Sequence, residues 1–206
     1  MKNSFIISAA LVLITGIGPA FAGVSAKKDA AQAAQAVQED PKVGEFKGIL
    51  FKLVRQDEYL DEAIDTLGAP DARLSAHDAS AMGLSLKMIS DNLKKISALN
   101  RTEFASIQPG SSLSNYTNAI LSYSRKVDRK SAQVGTLIAQ LSARDKKSAM
   151  RDAVSAKKGA RKGGRKLTQM LDDRNALEAL AADAKTLRAS SRDLSATSKW
   201  LYIASK

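Results

Sequence analysis

The chain has 206 residues, of which 32 are lysine or arginine and 21 are aspartate or glutamate, so its formal net charge at pH 7 is +11. It contains no cysteine and one histidine, which excludes disulfides, thiolate metal sites and covalent c-type haem, and leaves histidine-based zinc and di-iron centres without their ligands. No stretch matches a nucleophile elbow or a phosphate-binding loop. We therefore predict a protein that is not an enzyme and uses no cofactor.

Residues 1–22 have the layout of a secretory signal peptide. Lys2 provides a positive start, residues 5–18 form an uncharged and mostly apolar run, and Ala20 and Ala22 place small side chains where signal peptidase reads them. The apolar run is shorter than the about 20 residues that span a bilayer, and no later segment is long and apolar enough. We expect cleavage after Ala22 and an extracytoplasmic mature protein, periplasmic or secreted, without a transmembrane segment.

The composition of the remaining chain predicts an all-α protein. Long stretches of good helix formers are divided by only three prolines, Pro41, Pro70 and Pro109, and no stretch shows the alternation typical of strands. The fold class we expect is an elongated antiparallel helical bundle of about four helices.

The predicted organisation has a short spacer followed by one helical domain. Residues 23–41 are rich in alanine and glutamine, have little to bury, and are expected to form a spacer or a frayed helix. Residues 42–206 are expected to form a single bundle of two helical hairpins, 42–99 and 112–204, with the second hairpin the longer.

Apolar residues in the first helix recur at steps of three and four, the heptad pattern of helices packed lengthwise. The predicted core positions are Val43, Phe46, Leu50, Leu53, Leu60, Ile64 and Leu67. Asp57 occupies one of the same positions. Lys130, Arg144 and Arg174 intrude into the corresponding pattern of the C-terminal half, and we predict that Asp57 pairs with one of them and helps to set helix register.

Two positions remain open for the reversal between the last two helices. It falls either near Arg144–Lys147, with Asp145 as a cap, or at Gly159–Gly164. We favour the second, because each glycine inside a helix costs about 1 kcal/mol relative to alanine.

Basic residues are concentrated in the C-terminal half, above all in the decad 157–166. The candidate anion- or partner-binding residues are Lys157, Lys158, Arg161, Lys162, Arg165 and Lys166. Residues 23–110 have a net charge of −2 and residues 111–206 one of +12. The decad is interpreted either as a solvated surface or as an anion-binding patch.

An acidic cluster in the first helix is a candidate partner for that basic half. Its members are Asp57, Glu58, Asp61, Glu62 and Asp65. The cluster is either a solvated face or a counter-face that meets the basic half, within one chain or across a dimer.

Two further features have an ordinary and a functional interpretation. His77 follows Ser75, whose spacing to Asp78 fits a helix capping box, and is predicted to be a surface residue. Trp200 and Tyr202 lie in the last predicted turn, which either docks onto the bundle or contacts a membrane interface or partner.

The predicted function is association through the basic surface. Anionic envelope polymers, lipid headgroups and an acidic protein are the candidate partners, and export argues against genomic nucleic acid. A homo-oligomer is compatible with the heptad patterns. Composition and export resemble basic helical periplasmic holdase chaperones, which supply the alternative; a structural spacer without a ligand is the second alternative.

Overall fold

The computed structural model describes residues 42–70, 72–110, 112–156 and 164–206, without the side chains of 149, 151–156 and 164–167. The predicted signal peptide, the predicted spacer and residues 157–163 of the basic decad lie outside this description. The described chain forms four helices and no strands, which confirms the all-α prediction. They are α1 (Val43–Gly68), α2 (Ala76–Phe104), α3 (Ser114–Ala156) and α4 (Gly164–Ala204).

The four helices pack as a square in which α4 contacts α2 and α3, and α1 contacts α3 and, less extensively, α2. Hydrogen bonds between hydroxyl groups of neighbouring helices show whether those helices run parallel or antiparallel. Ser90 and Ser97 of α2 bond Ser190 and Thr197 of α4, at a constant separation in sequence, so α2 and α4 run parallel. Ion pairs between α1 and α3 also keep a constant separation, so these helices are parallel too.

The helices α3 and α4 run antiparallel, because Thr117 bonds Ser205 while Ser124 bonds Ser198. It follows that α1 and α2 are also antiparallel. The bundle therefore consists of two antiparallel hairpins laid side by side so that helices of equal direction touch.

The connection from α2 to α3 crosses the end of the bundle between two diagonally opposite helices. Gly110 in this connection has a φ of 73°, and its backbone N–H donates to the carbonyl of Ser205 at 3.2 Å. The predicted end of the first hairpin at residue 99 was too early. Helix α2 continues to Phe104 because Asn100 is fully buried and donates to Ser198 of α4 at 2.9 Å.

The heptad pattern of α1 predicted most of its core. Five of the seven apolar positions are buried, while Leu50 and Ile64 are only partly buried at the edge of the core. Ile49 and Ala63 are buried in addition. The buried face of α1 therefore includes Ile49 and Ala63 as well as most of the predicted positions, because α1 packs against two helices, α2 and α3.

The reversal between α3 and α4 lies beyond the first of the two predicted positions. Helix α3 is continuous through Arg144–Lys147 and ends at Ala156, and α4 begins at Gly164. The predicted position of the reversal near Arg144–Lys147 is therefore wrong. Helices α3 and α4 have 43 and 41 residues, against 26 and 29 in α1 and α2, so the second hairpin is the longer one, as expected.

The longer hairpin continues past the hydrophobic core. Among the residues whose side chains the structure describes, Leu141 is the last buried core residue of α3 and Leu177 the first of α4. We call residues 142–156 and 164–176 the extension. None of its described side chains is buried, and Met150 is 73% exposed, so solvent reaches this part of the hairpin.

Two glycines are expected to respond oppositely to alanine. An added Cβ at Gly48, inside α1, meets nothing within 4 Å, whereas Gly110 has positive φ. We expect Gly48→Ala to raise the free energy of unfolding by up to about 1 kcal/mol and Gly110→Ala to lower it by about 1–2 kcal/mol. Urea denaturation measures both; a destabilising Gly48→Ala would contradict the placement of this α1 face in solvent.

Candidate functional site

Four charged residues of α1 and α3 form one ion-pair cluster, the α1–α3 charge cluster: Asp57, Asp61, Lys126 and Lys130. Lys126 Nζ lies 2.5 Å from Asp57 Oδ2. Lys130 Nζ lies 2.6 Å from Asp57 Oδ1 and 2.6 Å from Asp61 Oδ2. The predicted pairing of Asp57 with an intruding cation is confirmed for Lys130.

The two central members of this cluster are shielded from solvent. The side chain of Asp57 is 7% exposed and that of Lys130 is 14% exposed. Asp57 Oδ1 accepts no hydrogen bond of good geometry, so Lys130 acts on it mainly through charge, while Lys130 Nζ also donates to the Asp57 carbonyl at 3.3 Å. The hydrogen bond to Asp57 holds the pKa of Lys126 above its usual value. The charges neutralise one another, which suits a structural role.

The remaining members of the predicted acidic counter-face lie in solvent. Glu58, Glu62 and Asp65 are exposed, and Glu58 lies 3.9 Å from Arg55 in the next turn of α1. The acidic cluster is thus divided between an α3-facing pair and an exposed group. The side chains of the basic decad lie outside the described residues, so the cations seen beside the acidic cluster are those of α3.

The base of the extension carries exposed cations. Arg144, Lys146 and Lys147 are exposed and make no ion pair or side-chain hydrogen bond within the part of the chain that the structure describes. A cavity of about 410 Å³ separates this base from the α1–α2 turn, and Arg73 and Arg144 are among its lining residues. These cations are therefore exposed to solvent, and the cavity beside them is also lined by Asp145 and Asp173.

Helix α4 is held on both sides by buried hydroxyl groups that we call the hydroxyl seams. Their members recur every seven residues in each helix. They are Ser90 and Ser97 in α2, Thr117, Ser124 and Ser131 in α3, and Ser190, Ser191, Thr197, Ser198 and Ser205 in α4. The oxygen–oxygen distances across the seams range from 2.6 to 3.2 Å.

These seams were not predicted from the sequence. The signal was present as serine or threonine at heptad spacing, but a heptad search counts apolar residues and treats serine as a surface residue. A charged group reinforces the α3–α4 seam: Arg188 donates to Asp128 Oδ1 at 2.5 Å, and Ser191 donates to the same oxygen at 3.0 Å.

An aromatic cleft opens between the C-terminal turns of α2 and α4. The rings of Phe104 and Trp200 form one wall, with centroids 6.4 Å apart and planes inclined by 53°. Asn100 also lines the cleft, whose volume is about 330 Å³. Arg101 and Asp193 form an ion pair at its rim, 2.5 Å apart.

Docking of the C-terminal turn onto the bundle, one of its two predicted interpretations, is observed, whereas contact with a membrane interface or partner stays a prediction. Leu201 is fully buried and docks the turn onto the bundle, whereas Trp200 is 63% exposed. Phe104, which lies beyond the predicted first hairpin (42–99), is the residue that supplies the second ring.

The start of α2 has the capping box that the sequence predicted. Ser75 Oγ accepts from the Asp78 N–H at 3.2 Å, and Asp78 Oδ2 accepts from the Ser75 N–H at 3.3 Å. The Ser75 hydroxyl also donates to Asp78 Oδ2 at 2.7 Å, and this bond, together with the one from the Ser75 N–H, holds the pKa of Asp78 below its usual value. Asp173 of α4 accepts a further N–H, from Ala76, at 2.7 Å. His77 is exposed beside this cap, as expected for a surface histidine.

Two searches of the described residues were negative. No group of three or more potential ligands is placed to hold a metal ion within the described ranges. No helix there is long and apolar enough to cross a bilayer.

The geometry defines a class of protein: an all-α bundle of four helices in two antiparallel hairpins, with hydroxyl seams along α4 and a basic extension. Comparisons with family models, with curated proteins and with solved structures gave no match. The function is therefore argued from the groups that this chain itself presents.

Proposed function

We propose that the protein works by association, without chemistry of its own, and that its extension binds an anionic surface of the cell envelope. The observation that carries the proposal is the set of exposed cations at the base of the extension, Arg144, Lys146 and Lys147, which make no ion pair within the described part of the chain. The sequence continues from there into the decad 157–166, which adds six positive charges and no acid.

The density of positive charge in the decad supports this assignment more than the lack of ion pairs does, because exposed cations of the bundle such as Lys52 and Lys95 also make no ion pair within the described residues. Lys126 and Lys130 are neutralised by aspartates of α1, and Arg188 by Asp128 of α3. As far as the described residues show, the cations at the base of the extension are not neutralised in this way. Several cations on one surface attract anionic headgroups or polymers, each contributing about 1 kcal/mol near an anionic membrane surface.

The proposal places the mature protein outside the cytoplasm, after removal of residues 1–22. N-terminal sequencing of the protein recovered from the cell envelope or the medium is expected to begin at Gly23. Recovery of the intact precursor from the cytosol would contradict this location.

The decisive experiment compares two variants of equal charge. The first replaces the six decad cations, Lys157, Lys158, Arg161, Lys162, Arg165 and Lys166, by glutamine. The second replaces six exposed cations of the bundle, Lys52, Lys95, Arg125, Arg129, Lys185 and Arg192, by glutamine. Binding is measured by co-sedimentation with vesicles of phosphatidylglycerol and phosphatidylcholine, and with phosphatidylcholine alone.

We expect the decad variant to lose at least about 100-fold in affinity for the anionic vesicles, since six charges contribute about 1 kcal/mol each, and the bundle variant to lose much less. Wild-type binding should weaken steeply when salt rises from about 50 to about 200 mM, because exposed charges are screened. Equal losses in the two variants would show attraction by net charge alone and would contradict a site on the extension.

The alternatives give different results in the same assays. A holdase chaperone would suppress aggregation of an unfolded client to the same extent after decad neutralisation. An acidic protein partner would be crosslinked by the wild type and lost from the decad variant, without vesicle binding. A structural spacer would behave identically in every form.

A further inference from the structure

The end of the bundle opposite the extension carries three exposed apolar side chains, which we call the aromatic patch. Trp200 is 63% exposed, Ile203 is 59% exposed and Phe104 is 44% exposed. Trp200 and Ile203 lie within one turn of each other on α4, and the ring of Phe104, at the end of α2, lies 6.4 Å from that of Trp200. The three side chains thus form one continuous surface that a partner could remove from water.

A long uncharged stretch of the chain lies beside the aromatic patch. Residues 104–124 contain no lysine, arginine, aspartate or glutamate, and this is the longest such run after residue 22. The run forms the last residue of α2, the connection and the first turns of α3, and Gly110 of the connection donates to the carbonyl of Ser205 beside the end of α4. In a chain in which 26% of the residues are charged, this end of the bundle therefore stands out as weakly charged.

The last acids of the two helices that carry the patch are neutralised within the bundle. Asp193 of α4 lies 2.5 Å from Arg101, and Glu103 of α2 lies 3.5 Å from Lys42. These two carboxylates therefore do not oppose the approach of an anionic surface.

Two lysines border the patch on the side of α4. Lys199 and Lys206 are exposed and make no ion pair within the described ranges. Lys206 Nζ lies 4.8 Å from the centre of the Tyr202 ring. Aromatic side chains flanked by lysines are typical of the interfacial region of a bilayer, where the rings lie at headgroup level and the lysines reach the phosphates. The charge of the border is complementary to an anionic lipid surface.

We propose that the aromatic patch inserts into the interfacial region of an anionic bilayer. Trp200, Phe104 and Ile203 enter the boundary between headgroups and acyl chains, while the bordering lysines contact lipid phosphates. Helix α4 carries this contact and the extension at opposite ends, about 50 Å apart at 1.5 Å per residue. The proposal goes beyond the proposed function, because it adds a contact with the apolar part of the lipid, and it requires nothing of the extension.

The fluorescence of Trp200 reports on this contact directly, because the chain has one tryptophan. The probe is a vesicle of phosphatidylglycerol and phosphatidylcholine with brominated acyl chains, which quench an indole ring that reaches the lipid. The test variant is Trp200→Ser/Ile203→Ser. The control is Phe51→Ser/Leu84→Ser, which removes two apolar side chains of similar exposure, 65% and 68%, from α1 and α2. Co-sedimentation measures the affinity of each form, and circular dichroism verifies that each is folded.

We expect vesicles to shift the emission of wild-type Trp200 to shorter wavelength. Bromine near the headgroup end of the acyl chains should quench it more than bromine near the bilayer centre, because the patch enters only the boundary region. The test variant should lose at least about tenfold in affinity, since the burial of two large apolar side chains is lost. The control variant should lose less than about twofold, because its substitutions are in solvent in both states.

The decad variant described above separates this proposal from that for the extension. If the extension binds as proposed, the decad variant binds more weakly, but its Trp200 is still quenched once the lipid concentration is high enough for binding. If neutralising the decad leaves the affinity unchanged, the proposed function fails. Quenching of Trp200 and the loss of affinity in Trp200→Ser/Ile203→Ser would then still support the aromatic patch.

Three results would overturn the proposal for the patch alone. One is a wild-type protein that sediments with the vesicles while its Trp200 emission is neither shifted nor quenched. A second is equal affinity of the test and control variants. The third is a Trp200 emission that shifts with rising protein concentration and not with lipid, which would make the patch an interface between copies of this chain. A wild-type protein that does not sediment with the vesicles at all would overturn both proposals.

Discussion

Replacing Lys130 by methionine is expected to lower the free energy of unfolding by about 2–3 kcal/mol, because it leaves the shielded Asp57 carboxylate with one partner fewer. Breaking a buried ion pair typically costs 3–5 kcal/mol, and Lys126, which remains 2.5 Å from Asp57, reduces that cost. Asp57→Leu should have a similar effect, since Lys130 keeps only Asp61.

The double variant Asp57→Leu/Lys130→Met is expected to return to within about 1 kcal/mol of the wild type, because apolar residues of similar size can replace a buried pair at little cost. A double-mutant cycle from urea denaturation measures the coupling. The control is the pair Arg174–Glu178, whose side chains are 56% and 55% exposed; its removal should cost less than about 1 kcal/mol.

The same variants test the predicted role of Asp57 in register. If the pair sets register, the double variant should change its oligomeric state or lose its cooperative unfolding transition. A double variant that keeps both, with full stability, would show that apolar packing alone sets the alignment of α1 and α3.

Ser124→Leu is expected to lower the free energy of unfolding by about 3–5 kcal/mol, although a heptad pattern alone would make leucine the better residue there. Ser124 is fully buried and its oxygen lies 2.6 Å from that of Ser198, so α3 and α4 have no space for a larger side chain. Overpacking typically costs 1–3 kcal/mol, and the Ser198 hydroxyl loses its acceptor in addition, at about 1–3 kcal/mol.

Two further substitutions separate these contributions. Ser124→Ala removes the hydroxyl without adding volume and should cost only about 1–2 kcal/mol. Ser122→Leu places the same large side chain at an exposed position of α3 and should change stability by less than about 0.5 kcal/mol. A Ser124→Leu protein as stable as the wild type would contradict the close approach of α3 and α4.

Local features of the sequence predicted much of the fold. The capping box at Ser75 and Asp78 marks the start of α2 because its hydrogen bonds form within one turn. The apolar positions of α1 predicted a buried stripe for the same reason, since helical periodicity is a property of the segment itself. Asp57 was predicted to pair with one of Lys130, Arg144 and Arg174 because a charge inside an apolar pattern needs an opposite charge nearby.

Features that depend on a neighbouring helix were missed or misplaced. Helix α2 runs past Leu99 because the buried Asn100 donates a hydrogen bond to Ser198 of α4, which is almost a hundred residues away in the sequence. The hydroxyl seams look like surface positions until α4 is packed between α2 and α3. The aromatic cleft requires Phe104 and Trp200 to meet, and nothing near either residue indicates that.

The sequence by itself determined that this chain is helical, where most of its helices begin, which faces they bury and how its charge is divided. The tertiary structure alone decided which helices run side by side, that α4 is held by hydroxyl groups on two sides, and that Phe104 and Trp200 meet at one end of the bundle. The reason is physical: helix formation and amphipathicity depend on residues three and four apart, whereas pairing, close approach and the satisfaction of buried polar groups depend on atoms that only the folded bundle brings together.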